Sequence, residues 1–147
     1  MARSDFAFSH PFRVRYAEID GQGVAFNAHY LTWFDTAITE YMRRIGWDYV
    51  NQVKTAGTDF HTVRSVVDYK APIRFDEDIE VHVRVARIGR SSMSFLFEIH
   101  PLGREELRAS GEIVWVNTDQ ASRKSAPVPA EMIRRVETVD GARLQRP

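Results

Sequence analysis

A single long amphipathic pattern, followed by little except strand patterns, limits this chain to few architectures. Leu31, Phe34, Ile38, Tyr41 or Met42, and Ile45 recur at spacings of three and four, with Thr32, Asp35, Thr39, Arg43 and Arg44 mostly between them. That period belongs to a helix with a broad apolar face. Asn27 stands at the N-cap position and Gly46 just past the last apolar residue, while Arg43 and Arg44 occupy the final turn, where cations suit the negative end of the helix dipole. The pattern predicts a helix from Ala28 to Ile45, about 27 Å long at ~1.5 Å per residue. Nothing else in the first two thirds of the chain has the pattern of a second long helix.

The remaining segments alternate. Phe12 to Tyr16, FRVRY, interleaves apolar and basic residues as a half-buried strand does. From Thr62 the chain is rich in β-branched residues up to Pro72, which marks an edge or an exit. DIEVHVRVARIG sets Ile79, Val81, Val83 and Val85 on one face and Glu80, His82 and Arg84 on the other. MSFLFEI sets Met93, Phe95, Phe97 and Ile99 on one face, and the 88–92 stretch between these two strands reads as a hairpin loop. GEIVWVNT adds a further strand, and PVPAEMIRRV offers at most a short proline-started helix. A five-stranded antiparallel sheet satisfies one helix by wrapping around it, so an α+β fold is expected. The expected organisation is one domain over residues 1–147, with its core at about 9–134 and a tail at 135–147.

Composition removes several functions. Lys plus Arg and Asp plus Glu number 20 each, so no net charge draws the molecule to nucleic acid or to an anionic membrane surface. With no cysteine, disulfides, thiolate metal sites and a thiol nucleophile are excluded. The five histidines are scattered, with no two at metal-ligand spacing on one recognisable element, and no metal is expected. The N-terminus lacks the apolar run of a signal peptide, and no stretch approaches the roughly 18 apolar residues of a membrane span, which makes a cytoplasmic protein the expectation.

Chemistry concentrates in residues 18–30, EIDGQGVAFNAHY. Asp-Gly is a frequent turn dipeptide, so Asp20 is either a turn residue or the residue that the turn presents. The wider segment VRYAEIDGQGVAFNAHYLTWFDTAITEYMRRIG resembles the N-terminal signature of hotdog-fold acyl-CoA thioesterases of the 4-hydroxybenzoyl-CoA thioesterase type, which include the Tol-Pal-associated acyl-CoA thioesterases. Glu18, Ile19, Asp20, Gly23, Phe26, Asn27 and Tyr30 carry that likeness, and DYKAPIRFDEDIEV, IGRSSMSFLFEI and GEIVWVNTD with PVP continue it in order over residues 9–134. Asn27 departs from the histidine common in the Tol-Pal-associated members. The resemblance implies a hotdog fold, a homodimer with its two sheets joined side by side, a homotetramer of two such dimers, and hydrolysis of a CoA thioester without metal or cofactor.

Thioester hydrolysis needs a nucleophile or base and a means of stabilising an oxyanion. A carboxylate is ionised at neutral pH, so Asp20 can attack the carbonyl or activate a water, and the sequence leaves both open. Backbone N–H groups near Phe26, Asn27 and Ala28, at the positive end of the helix, would receive the oxyanion, with Tyr30 beside them. Arg87, Arg90, Ser91 and Ser92 around the hairpin, with Arg123 and Lys124 after the last strand, are the candidates for the phosphates of CoA. The resemblance implies that such groups come from a neighbouring subunit. His29, Asp35 and Glu40 are read as structural. The alternative to an enzyme is a hotdog module that binds acyl-CoA or acyl-carrier protein without turnover.

Overall fold

The computed structural model describes residues 1–145; the last two positions of the expected tail, Arg146 and Pro147, lie outside the described residues. Five strands, β1 (Ser9–Arg13), β2 (Thr58–Tyr69), β3 (Asp78–Ile88), β4 (Ser92–Pro101) and β5 (Ala109–Asp119), form one antiparallel sheet in the order β1-β3-β4-β5-β2. Alternation set the faces as expected: Ile79, Val81, Val83 and Val85 of β3 and Met93, Phe95, Phe97 and Ile99 of β4 are all buried in one core.

Helix α1 (His29–Arg44) lies on that face, its apolar stripe of Tyr30, Trp33, Phe34, Ala37, Ile38, Tyr41 and Met42 fully buried. Phe34 stacks on Phe97 with ring centroids 4.2 Å apart, and Tyr41 meets Phe95 edge-on at 6.3 Å. The Phe34 ring also lies directly over Gly111 of β5. A Cβ there would press into that ring and come within 2.6 Å of the Val66 carbonyl oxygen. Because the second obstacle is backbone and cannot rotate away, Gly111→Ala is expected to cost about 3 kcal/mol. Urea unfolding of the variant would measure this, and an unchanged midpoint would show that α1 and the sheet can part freely.

One long helix and at most a short proline-started one were expected, and the chain adds a further helix between them. Helix α2 (Tyr49–Ala56) follows directly, capped by the Asp48 carboxylate, which accepts the Asn51 N–H, and closed by Gly57 at φ 68°. It buries only Gln52 and so has no apolar stripe to announce it. Helix α3 (Ala130–Asp140) starts after Pro129, crosses the expected domain-tail boundary, and buries Met132, Val136 and Asp140. Asp140 fixes it in place: its carboxylate accepts the Tyr41 hydroxyl at 2.6 Å and the Val85 N–H at 2.9 Å. Among the described residues no helix is long and apolar enough to cross a membrane.

The polar side of β3 and β4 is less exposed than its alternation implies. Glu80 and His82 are buried where the N-terminal segment folds over them, and Glu98 and His100 are buried against each other and the turn at 102–106. Phe6 packs on His82 at 5.7 Å, and Arg3 pairs with Glu80 at 2.8 Å. Burial pushes the His82 imidazole down to about 4, so it sits there neutral.

Candidate active site

The turn that carries Asp20 is built from both sides. The Asp20 N–H donates to the Val24 carbonyl and the Gly23 N–H to the Asp20 carbonyl, each at 2.9 Å, with Gly23 at φ 77°, a conformation that glycine adopts without cost. The Gln22 N–H donates to Asp20 Oδ1 at 2.7 Å; among the described residues Oδ2 has no partner. The Ala25 N–H donates to the Ile73 carbonyl at 2.7 Å, and Val24 bridges Arg74, which fastens the turn to the segment between β2 and β3. Asp20 is half-buried and held by the backbone around it.

Beneath the turn lies Glu18, a residue that the sequence reading treated only as part of a motif. It is 5% exposed, and its carboxylate accepts the Trp33 indole N–H at 2.7 Å and the Arg15 N–H at 2.7 Å. Burial acts to raise its carboxyl, but the hydrogen bonds from Arg15 and Trp33 outweigh burial and hold it below the usual carboxylate range. Trp33, on the second turn of α1, is thereby tied to the chain just before Asp20. The signal was present in sequence as a glutamate two residues before the aspartate and a tryptophan on the apolar stripe, but no spacing rule joins them.

The helix entrance departs from expectation in two ways. Its N-cap is Ala28, not Asn27, and no side chain caps it. The Asn27 carbonyl instead accepts the Tyr69 hydroxyl at 2.9 Å and the Tyr30 N–H at 3.4 Å. Phe26 cannot offer its N–H to an oxyanion, because that group donates to the Glu18 carbonyl at 2.8 Å; its ring is exposed and sits edge-on to His29. Among the described residues, no acceptor takes the N–H of Asn27 or Ala28. These two donors are open at the positive end of a sixteen-residue helix. Tyr30 is 3% exposed and packs against Trp33 at 5.2 Å and Tyr69 at 4.8 Å. Burial raises its phenol, so it stays neutral and acts as a wall that positions Tyr69 against Asn27.

The cationic candidates divide from Asp20. Arg90, Ser91 and Ser92 lie beside the end of β5, where the Asn117 N–H donates to the Ser91 carbonyl at 2.7 Å, and Lys124 lies there too, its carbonyl accepting the Asp119 N–H. Arg123 shares that turn with a left-handed φ of 63°, and Arg87 is exposed on β3 close by. Asp20 is at the opposite end, with Tyr69, Ile73 and Arg74. Tyr69 pairs with Ala109 and Thr58 with Asp119, so the two ends of β5 are about 33 Å apart at ~3.3 Å per residue. Within one chain the hairpin cations do not reach Asp20. Of the cations at its end, Arg13, Arg15 and Arg108 are paired with Asp78, Glu18 and Glu77, while Lys70 and Arg74 are exposed and without an ion pair among the described residues. They stand inside DYKAPIRF, one of the segments that carries the family likeness.

A separate group, Glu98, His100 and Glu105, brings ligand-type atoms within 4.8 Å of one another. Both imidazole nitrogens of His100 are already engaged, Nε2 with Glu98 at 2.9 Å and Nδ1 by accepting the Glu106 N–H at 3.0 Å. It is a satisfied polar cluster on the face of the sheet opposite α1.

An antiparallel sheet covered by one principal helix, with an acidic turn at the entrance of that helix, defines the hotdog class. Residues 14–136 match the thioesterase-like superfamily, and the chain belongs to it. It is 25% identical over 128 residues to the acyl-CoA thioesterase YbgC of Haemophilus influenzae, covering 87% of this chain and 93% of that one. A Pseudomonas aeruginosa crystal structure superposes with a TM-score of 0.82 at 29% identity, covering 94% of both chains. A 1,4-dihydroxy-2-naphthoyl-CoA thioesterase from Synechocystis shares the fold with a TM-score of 0.84 at 20% identity, over 90% of this chain and 97% of that one.

Proposed function

We propose that this protein hydrolyses acyl-CoA thioesters to free acid and CoA, with Asp20 as nucleophile or general base. One observation carries the reading: among the described residues Asp20 Oδ2 is unpartnered, in a turn that leads within eight residues to two open N–H groups at the start of α1. A thioester carbonyl whose oxygen accepts from the Asn27 and Ala28 N–H groups would be polarised there, and the helix dipole favours the charge that develops. These groups supply both requirements of the reaction, so we read it as independent of metal and cofactor. The likeness to a relative called an acyl-CoA thioesterase supports the same class of substrate. The test is release of CoA thiol from a panel of short-chain, long-chain and aromatic acyl-CoAs. Hydrolysis of at least one is expected; saturable binding with no thiol release would favour a binding module instead.

We further propose that the working form is a dimer joined through β2, and that two dimers form a tetramer. β2 is an edge strand twelve residues long with Val63 60% and Tyr69 52% exposed, a surface that soluble chains usually cover or charge. Antiparallel pairing of two β2 strands about a twofold axis would set the Thr58 end of one against the Tyr69 end of the other. Arg87, Arg90, Ser91, Ser92, Arg123 and Lys124 would then approach Asp20 of the other copy, joining Lys70 and Arg74 around the CoA phosphates. Val63→Lys, near the axis, would oppose two like charges. Light scattering should show its dimer dissociating at concentrations where wild type stays associated, with thioesterase activity falling in parallel. A fully active monomer would refute the shared site.

A further inference from the structure

A cavity of about 520 Å³ lies between the C-terminal half of α1, helix α2 and the sheet. Ile38, Met42, Trp47, Tyr49, Val50 and Trp115 give it apolar and aromatic walls. The volume falls in the range of small-molecule sites, roughly 300 to 1,000 Å³. Neither Asp20 nor the α1 entrance lines it, yet one helix face connects them. Ala28, Asp35 and Met42 are seven residues apart, close to two turns, and therefore share a side of α1. Leu31, 38% exposed, and Thr39 lie on the same side between them. From the open N–H of Ala28 to the edge of the cavity at Asp35 is about 10 Å along the axis, at ~1.5 Å per residue.

We propose that this cavity receives the far end of the acyl group, and that the substrate is a medium- to long-chain acyl-CoA rather than an acetyl- or propionyl-CoA. The inference rests on the thioesterase reading above. With the thioester carbonyl at Asn27 and Ala28, the chain runs over Leu31 and enters beside Asp35. An extended alkyl chain advances ~1.3 Å per carbon, a C–C bond being about 1.5 Å, so about eight carbons are needed to reach the entrance. Shorter acyl groups leave the cavity empty and gain nothing from it. Each methylene that enters leaves water for an apolar wall, which is worth about fourfold in kcat/KM. The exposed carboxylate of Asp35 and guanidinium of Arg43 remain in water at the rim.

The experiment is a chain-length series from acetyl- to tetradecanoyl-CoA on wild type, on Thr39→Phe and on Val50→Trp. Both substitutions fill the cavity from exposed positions on different helices, so a folding defect in one does not decide the matter, and circular dichroism checks each. Wild type is expected to climb steeply beyond about eight carbons, and each variant to lose at least tenfold on dodecanoyl-CoA while keeping butyryl-CoA within twofold. A flat wild-type series, or variants that change every chain length equally, would overturn the proposal. Quenching of tryptophan fluorescence by dodecanoic acid is a readout that needs no turnover, since Trp47 and Trp115 line the cavity. If quenching occurs in wild type and is lost in both variants while no acyl-CoA is hydrolysed, the cavity assignment stands and the catalytic reading falls. If Asp20-dependent hydrolysis is present but indifferent to both fillings, the reverse holds. Absence of both quenching and chain-length dependence refutes the cavity as an acyl site.

Discussion

Asp20→Asn is expected to lower kcat/KM for the best acyl-CoA by about 10³-fold, while changing folding stability by less than about 1 kcal/mol. The two halves of this expectation come from different atoms. Stability at position 20 draws on Oδ1, which accepts the Gln22 N–H at 2.7 Å, and an asparagine oxygen can accept the same bond. The turn also keeps its backbone bonds, from Asp20 to Val24 and from Gly23 to Asp20. What asparagine lacks is the negative charge and the free oxygen that attacks a carbonyl or takes a proton from water. A positioned base typically contributes 10²–10⁴-fold, and 10³-fold is about 4 kcal/mol of barrier. The residual rate would come from the Asn27 and Ala28 N–H groups, which the substitution leaves in place. Thiol release by the variant, read beside its thermal midpoint, checks both halves; full activity in Asp20→Asn would remove Asp20 from the chemistry. A single turnover in isotopically labelled water then separates the two roles, because only direct attack leaves solvent oxygen in the Asp20 carboxylate.

How far the sequence reached depends on the range of the interaction concerned. The faces of β3 and β4 and the limits of α1 follow from periods of 2 and 3.6, and both were read to within a residue or two. Helix α2 escaped because it buries only Gln52, so its cause is local capping by Asp48 and Gly57 rather than an apolar period. The burial of Glu80 and His82 escaped because their cover comes from the N-terminal segment, more than 70 residues away in the chain. At the site, the turn at Asp20 and the helix entrance were legible from glycine spacing and the helical pattern. Which N–H groups stay open was not. That depended on the Glu18 carbonyl taking the Phe26 N–H and on Tyr69, from β2, reaching the Asn27 carbonyl. The separation of Asp20 from the hairpin cations could have been found. The 70–77 connection enters β3 and the 89–91 loop leaves it, so they must occupy opposite ends of the sheet.

Glu18→Ala is expected to destabilise the fold by about 4 kcal/mol and to weaken activity through the loss of order in the turn. The side chain is small in area but has no substitute. Its removal orphans the Trp33 indole N–H, on a residue 2% exposed, and the part-buried Arg15 N–H, and a buried donor left unpaired costs about 1–3 kcal/mol. The cavity left beneath the turn adds to this. A pH dependence follows with a definite sign. The Glu18 carboxyl is held below its ordinary range in the folded chain, so its contribution is fully present above the unfolded value of about 4.3 and is lost as pH falls through the folded value. Urea midpoints for wild type should therefore decline below about pH 4.3 more steeply than those of Glu18→Ala. Trp33→Phe supplies the control, because in Glu18→Ala with Trp33→Phe neither partner of the buried bond remains. If the bond is the source of the cost, the double variant will be less destabilised than the sum of the single ones by about 1 kcal/mol or more. Strict additivity would mean that Glu18 acts by filling space, and that the link from α1 to the Asp20 turn is one of packing rather than of hydrogen bonding.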